Sequence, residues 1–251
     1  MNPRFQIINH NGIELLVYRP WWEEGILHGM TLRPLSFGGD DLTSAASLLY
    51  TATGLSMLVN PKQTHGDLFF DARSAENTIA RISPERSLLR FGEYDGVIAP
   101  SVQNIPGEGV AYAIATADCV PVILRGVSGW GLVHAGWRGL ANGIIGKVAE
   151  GLGEIVEAAV FASAGGDVYE VGGEVVEAIG ASAAYRPSTN GKFLLDTAET
   201  ASAQIRAVLP SQGVEMSGVC TISDVRFHSH RRDGDRAGRS ITFVAPRTAS
   251  S

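Results

Sequence analysis

Apolar residues in this chain gather in short runs rich in β-branched side chains, the pattern of strands. Nine runs fit: Glu14–Tyr18, Ile26–Leu32, Met57–Asn60, Gly96–Ala99, Val110–Thr116, Val120–Leu124, Gly131–His134, Val160–Ala162 and Ile241–Val244. Several are continuously apolar, as central strands covered on both faces are. Three segments read as helices. Leu42–Thr53 is rich in Ala and Leu and stops at Gly54, a helix-ending residue. Leu140–Leu152 follows a Gly-Trp-Arg-Gly turn. The third opens at Asp196, with Glu199 three residues on in a capping-box-like pattern, and runs to Val208 ahead of Pro210. Strands and helices mix without regular βαβ alternation, which predicts an α/β (α+β) fold of mixed β-sheet layers flanked by helices. Turn residues are spread evenly and no repeat interrupts them, so a single domain over residues 1–251 is expected.

Composition narrows the function classes. Apolar residues make up 45% and charged residues 18% of the chain, the reverse of a disordered balance. The formal net charge of −6 gives no general basic surplus for nucleic acid, although a local basic patch stays compatible with it. Two cysteines cannot build a secreted disulfide framework, and Cys119 and Cys220 are expected to stay unpaired, with Cys220 a core thiol in a short strand. The N-terminus lacks a signal-peptide pattern, and no run of about eighteen apolar residues would span a membrane. A reduced, cytoplasmic protein is the expectation. Nothing in the sequence decides its oligomeric state.

Candidate chemistry concentrates between Ala111 and Ala149. One apolar run ends at Thr116-Ala117-Asp118-Cys119, and a later one delivers His134 before Ala135-Gly136-Trp137-Arg138-Gly139. Upstream, Gln63-Thr64-His65-Gly66 places a second imidazole in a loop between strands. A thiolate and two neutral imidazoles with an open fourth position match a catalytic zinc site. The same residues also suit a buried small thiol and two structurally satisfied histidines, and spacing does not choose between the readings.

These segments carry a resemblance. With Tyr169-Glu170-Val171-Gly172, Cys220-Thr221, Arg226-Phe227, Ser229-His230-Arg231-Arg232-Asp233-Gly234 and His28-Gly29-Met30-Thr31-Leu32-Arg33, they resemble, in order and over nearly the whole chain, the laccase-domain family. This family is also called multicopper polyphenol oxidase or YfiH-like. The resemblance implies a purine nucleoside phosphorylase with adenosine deaminase activity, acting on adenosine, inosine or methylthioadenosine with phosphate. It further implies a metal site of His65, Cys119 and His134, and a fold related to the cysteine-hydrolase domain of cytotoxic necrotizing toxins. Two segments depart from the family pattern. Gly165-Gly166-Asp167-Val168 stands where two cysteines are usual, and the stretch between Arg33 and Gln63 is shortened.

Zinc is expected over copper, because Met1, Met30, Met57 and Met216 show no short spacing to Cys119 or His134 that would supply a weak axial ligand. Six histidines cannot assemble the four-copper clusters of a true laccase. Arg33, Arg138, Arg231 and Arg232 are candidate anion-binding residues, with Arg138 at the start of the helix expected near Leu140. Asp118, beside Cys119 in what reads as an extended segment, points away from the ligand set. Glu170 is a candidate acid or base, and His228 and His230 are candidates for purine contact. Two other classes compete: a metal-free Cys-His hydrolase acting on an amide or a cell-wall precursor, and a non-catalytic binding protein that retains the fold.

Overall fold

The computed structural model describes residues 1–38, 42–74, 88–103, 109–209 and 213–248. Two large sheets dominate it. The seven-stranded sheet runs, in spatial order, Phe5–His10, Ile13–Tyr18, Leu27–Thr31, Ser240–Ala245, Val110–Thr116, Met57–Val59 and Leu88–Leu89. The six-stranded sheet runs Val214–Met216, Ile155–Val160, Val120–Gly126, Gly129–Ala135, Gly96–Pro100 and Phe69–Asp71. Both are mixed. Val110–Thr116 pairs antiparallel with Ser240–Ala245 and parallel with Met57–Val59. Val120–Gly126 pairs antiparallel with both Gly129–Ala135 and Ile155–Val160.

Strand alternation sets the layers. Along Val110–Thr116, Tyr112 and Ile114 face a core shared with Ile123, Leu132 and Val97 of the other sheet. Ala111 and Ala113 face the opposite way, onto Ala46 and Leu49 of the helix Leu42–Thr53. On the far side of the six-stranded sheet, Val122 and Val133 pack on Ile145 and Val148 of the helix Ile144–Leu152 and on Ile205 of the helix Thr197–Val208. The order is therefore helix, sheet, sheet, helices, and the central strands read as continuous apolar runs because both faces are buried. Full burial of one such side chain is worth roughly 1.5–3 kcal/mol. Among the described residues no helix is long and apolar enough to cross a membrane.

Three sequence expectations shift. The run Val160–Ala162 is only the end of a strand, which spans Ile155–Val160; Phe161 and Ala162 are apolar because they enter the inter-sheet core. The helix expected over Leu140–Leu152 is two helices, Trp137–Ala141 and Ile144–Leu152, broken at Asn142-Gly143, where Gly143 takes φ +72°. The Gly-Trp-Arg-Gly segment is thus the first turn of a helix and does not precede one. Cys220 makes an isolated bridge to Ser163 and lies outside any strand; the neighbouring short strand is Val214–Met216. The third helix starts as its capping pattern predicts, with the Asp196 side chain accepting the Glu199 N–H at 2.9 Å.

His28 makes acid stability testable. It is fully buried in the strand Leu27–Thr31, where Nε2 accepts the Tyr18 N–H at 3.1 Å and Nδ1–H donates to the Ile26 carbonyl at 2.8 Å. Burial pulls its pKa from 6.5 down to about 4. Protonation therefore favours the unfolded chain. The stability this neutral ring contributes is complete above pH 6.5 and is lost as pH falls from 6.5 towards 4, by about 3 kcal/mol. Urea midpoints at pH 7.5 and pH 4.5 should differ less in His28→Gln than in the wild type; an unchanged difference would remove His28 from the account.

Candidate metal centre

The site forms where the chain passes from one sheet to the other. Val110–Thr116 ends in the seven-stranded sheet, Val120–Gly126 begins in the six-stranded sheet, and Ala117-Asp118-Cys119 makes the crossing. Asp118 takes φ +92°, so this is a turn and not the extended segment its neighbours suggest. The strain is held by partners: Asp118 Oδ1 accepts from the Thr221 hydroxyl at 2.7 Å, and Oδ2 from the Arg231 N–H at 2.6 Å. Both oxygens are spent away from the thiol, on the segment that carries Arg231.

His134 lies near the end of the strand Gly129–Ala135 and is 3% exposed. His65 sits far away in sequence, on the loop after Met57–Val59, and two amides bring it in. Gln63 behaves like a strand residue, donating from Nε2 to the Ala115 carbonyl and accepting the Ala115 N–H at Oε1, both at 2.7 Å. Asn60 donates to the Ala113 carbonyl at 3.0 Å. The loop is thereby fastened along the edge of the strand that leads to Cys119.

Asp95, which the sequence reading missed, completes the arrangement. Its carboxylate is 1% exposed, and Oδ1 accepts both the His65 N–H at 2.9 Å and His134 Nδ1–H at 2.7 Å. Oδ2 accepts the Thr64 and Gly66 N–H groups at 3.2 and 2.7 Å. Burial opposes this charge, but the hydrogen bond and attraction of His134, with the loop amides, outweigh it and hold the pKa at about 2. His65 itself takes φ +61° under this grip. With Nδ1 engaged by Asp95, His134 turns Nε2 to the site.

One ligand-type atom from each of His65, Cys119 and His134 lies within 4.8 Å of the other two. Gly136 permits this, since a Cβ there would stand 3.1 Å from both Cys119 Sγ and His65 Cδ2. Burial pushes the Cys119 thiol up, and the facing imidazole of His134 more than reverses it, favouring thiolate; the same attraction overcomes burial at His134 and favours imidazolium. An ion would displace the Nε2 proton of His134, and the donor set then fits a borderline-soft divalent ion: one thiolate, two neutral imidazoles, and a carboxylate orienting one of the rings.

The three side chains open on a cavity of about 1120 Å³. Arg33, Arg138 and Arg231 line it, with Phe37, Trp137 and Tyr169. The Arg138 guanidinium lies 4.3 Å from the Trp137 ring and that of Arg231 4.7 Å from the Tyr169 ring. Arg138 is the second residue of a five-residue helix, which has little dipole to offer, so its value to an anion is its own charge.

Arg232 is turned elsewhere. Its Nη1 donates to the Thr221 carbonyl at 2.7 Å, Nη2 to the Phe227 carbonyl at 2.8 Å, and Nε to Asp233 at 2.9 Å. It braces the 221–233 segment and has no place in an anion site. Glu170 is also outside the cavity, paired with Lys192 at 2.8 Å and Ser188 at 3.0 Å. His228 and His230 do line the cavity, but His228 donates Nε2–H to the Leu35 carbonyl at 2.7 Å and so serves the fold. Both cysteines are free, and the Cys220 sulfur accepts the Gly165 N–H at 3.2 Å. Asp167, in the segment that lacks the family's cysteines, lies on the surface beside Arg186.

Comparison with known proteins places the chain among purine nucleoside enzymes of similar sequence and among structures of the same fold. A purine nucleoside phosphorylase of Xylella fastidiosa is 41% identical over 148 residues, covering 54% of this chain and 56% of the relative. The adenosine deaminase RL5 of an unknown prokaryotic organism is 32% identical over 154 residues, 55% of this chain and 58% of that protein. The chain thus spans little more than half the length of these relatives. The crystal structure of YlmD from Geobacillus stearothermophilus superposes with a TM-score of 0.79 at 23% identity, over 97% of this chain and 99% of the other, which establishes a shared fold. The family model described as multi-copper polyphenol oxidoreductase laccase matches residues 40–247, a span that contains His65, Asp95, Cys119 and His134 together, and the chain belongs to that family.

Proposed function

We propose that this chain is a metal-dependent purine nucleoside enzyme, catalysing phosphorolysis of adenosine, inosine and methylthioadenosine and deamination of adenosine. The observation that carries this reading is the opening of a two-histidine, one-thiol cluster onto a cavity walled by arginines and aromatic rings. Zinc held by His65, Cys119 and His134 would supply Lewis-acid activation of the attacking nucleophile. Copper is disfavoured because no methionine lines the cavity among the described residues; Met30 and Met57 are buried in the inter-sheet core.

The chain's own groups do the rest. Phe37, Trp137 and Tyr169 offer apolar faces for a purine. Arg138 and Arg231, with Arg33 beside Asp233, offer planar forks for phosphate. In phosphorolysis a phosphate oxygen bonds to C1′ of the ribose as the C1′–N9 bond breaks; the electron pair leaves on the purine, which takes up a proton. Held cations stabilise the attacking anion in place without reorganisation.

The test is metal analysis of protein purified without added metal, paired with adenosine and inosine turnover with and without phosphate. About one zinc per chain and phosphate-dependent release of base are expected. Arg138→Ala should lose roughly ten- to a hundredfold in phosphate use, the worth of one charge-assisted contact, while keeping its zinc and most of its deamination. Equal loss of both activities in a folded variant would remove Arg138 from the phosphate site. Failure to turn over any nucleoside, loaded with zinc and supplied with phosphate, would favour a binding protein.

One observation favours a second reading. Asp95, His134 and Cys119 stand in the order orienter, base and nucleophile, with the carboxylate 2.7 Å from the imidazole, as in a metal-free cysteine hydrolase. Full activity in chelated, zinc-free protein would select it.

A further inference from the structure

The cavity holds more positive charge than one inorganic phosphate requires. Among the described residues six guanidinium groups line it, including Arg90, Arg236 and Arg239 besides the three already placed, against the carboxylates of Asp118 and Asp235. This is the wall of a chain whose formal net charge is −6. Asp118 is spent on Thr221 and the Arg231 N–H, so it offsets little of that charge.

The cations come from four stretches of chain: Arg33, Arg90, Arg138, and the C-terminal stretch that carries Arg231, Arg236 and Arg239. Arg138 follows Gly136, which abuts the Cys119 sulfur, and Arg231 lies on Tyr169. Arg236 and Arg239 belong to the stretch Gly234–Arg239, which is fastened to the 33–38 loop by the Phe37 N–H on the Arg239 carbonyl at 2.8 Å. The side chain of Arg239 packs where a Cβ of Gly38 would stand, 3.2 Å from its Cγ. Arg239 gives Nη1 to the Ala237 and Gly238 carbonyls, both at 2.9 Å, which fixes the guanidinium and leaves Nε and Nη2. Arg236 is exposed and makes no ion pair among the described residues.

We propose that Arg236 and Arg239 form a second anion subsite, which takes the 5′-phosphoryl group of a purine nucleoside monophosphate. This rests on the reading of the cavity as a purine nucleoside site. In a nucleoside the 5′ carbon projects from the ribose away from the bond that phosphate attacks, so an anion attached there needs its own cationic wall. Two phosphates in one cavity repel unless separate guanidinium groups meet each of them. At about 1120 Å³ the cavity exceeds the roughly 300–1,000 Å³ of a pocket for one small ligand, leaving room for a nucleotide beside a phosphate. The phosphorolysis step is unchanged: oxygen bonds to C1′, the purine leaves with the electron pair and is protonated, and the 5′-phosphoryl group is a spectator.

The experiment compares adenosine with adenosine 5′-monophosphate on the zinc-loaded full chain, by calorimetric binding and by turnover. The monophosphate is expected to bind at least about tenfold more tightly. Arg236→Ala is expected to remove about ten- to a hundredfold of that affinity and to leave adenosine and inorganic phosphate binding within about twofold. Arg239→Lys keeps the charge but loses the fork, and should fall in between. Equal affinity for the two ligands, or an Arg236→Ala loss shared by adenosine, would overturn the subsite. Binding separates the two layers of argument. A monophosphate preference that depends on Arg236 without turnover would keep the subsite and sink phosphorolysis; phosphate-dependent adenosine cleavage with the monophosphate excluded would do the reverse.

Discussion

Asp95→Ala is expected to cost about 3–5 kcal/mol of stability, because it strands the groups that converge on one buried carboxylate. Three loop amides and His134 Nδ1–H lose their acceptor at once, and His65 loses the anchor that holds it in a left-handed conformation. Asp95→Asn separates metal positioning from stability. Its shape is kept, but its amide nitrogen must meet a donor that faced carboxylate oxygen. Zinc affinity, measured by competition with a chromogenic chelator, is expected to fall about 10–100-fold, the usual scale for a group that orients a ligating histidine. An Asn variant binding zinc within twofold of wild type would show that Asp95 serves only the fold.

Cys119→Ala should have the largest effect on the site itself. The thiolate is the one anionic donor among the three, so its loss should take bound zinc from about one per chain to below a tenth. Adenosine deamination should fall by about a thousandfold or more with it, the contribution of an activated nucleophile being of that order. The wild type after chelation should behave like the variant and recover when zinc is returned. Activity that survives chelation but disappears when Cys119 is alkylated would transfer the thiol from metal ligand to nucleophile.

The chemistry of this site was legible where it is local. Thr116-Ala117-Asp118-Cys119 and His134-Ala135-Gly136 are each short, and strand periodicity alone puts both at strand ends. The approach of His65 was not legible from spacing, because it depends on Gln63 bonding the backbone of Ala115, a pairing with no periodic signature. Asp95 was invisible for a related reason. An acid ahead of a buried strand reads as a turn residue, and only the fold reveals the donors that reach it. Arg231 and Arg232 are adjacent and chemically alike in sequence; one reaches the cavity and the other is consumed by carbonyls, which a charge count does not distinguish. The strand Phe5–His10 and its hairpin with Ile13–Tyr18 were also missed, although Asn11-Gly12, which takes φ +50° and +96° between them, is the dipeptide of a tight two-residue turn.

The crossing at Ala117-Asp118-Cys119 has a mechanical side. His65 hangs from the seven-stranded sheet, His134 ends a strand of the six-stranded one, and Cys119 sits on the joint between them. An ion gripped by all three would act as a rivet through two plates: it would bind the arrangement in which the sheets are seated and have no such grip on the open chain. At a free concentration a thousandfold above its dissociation constant it would add about 4 kcal/mol to the seating. Loading the centre would therefore stiffen the shared interior of Tyr112, Ile123 and Leu132 as well as equip the cavity, and hydrogen exchange along both strands that flank the joint is expected to slow together.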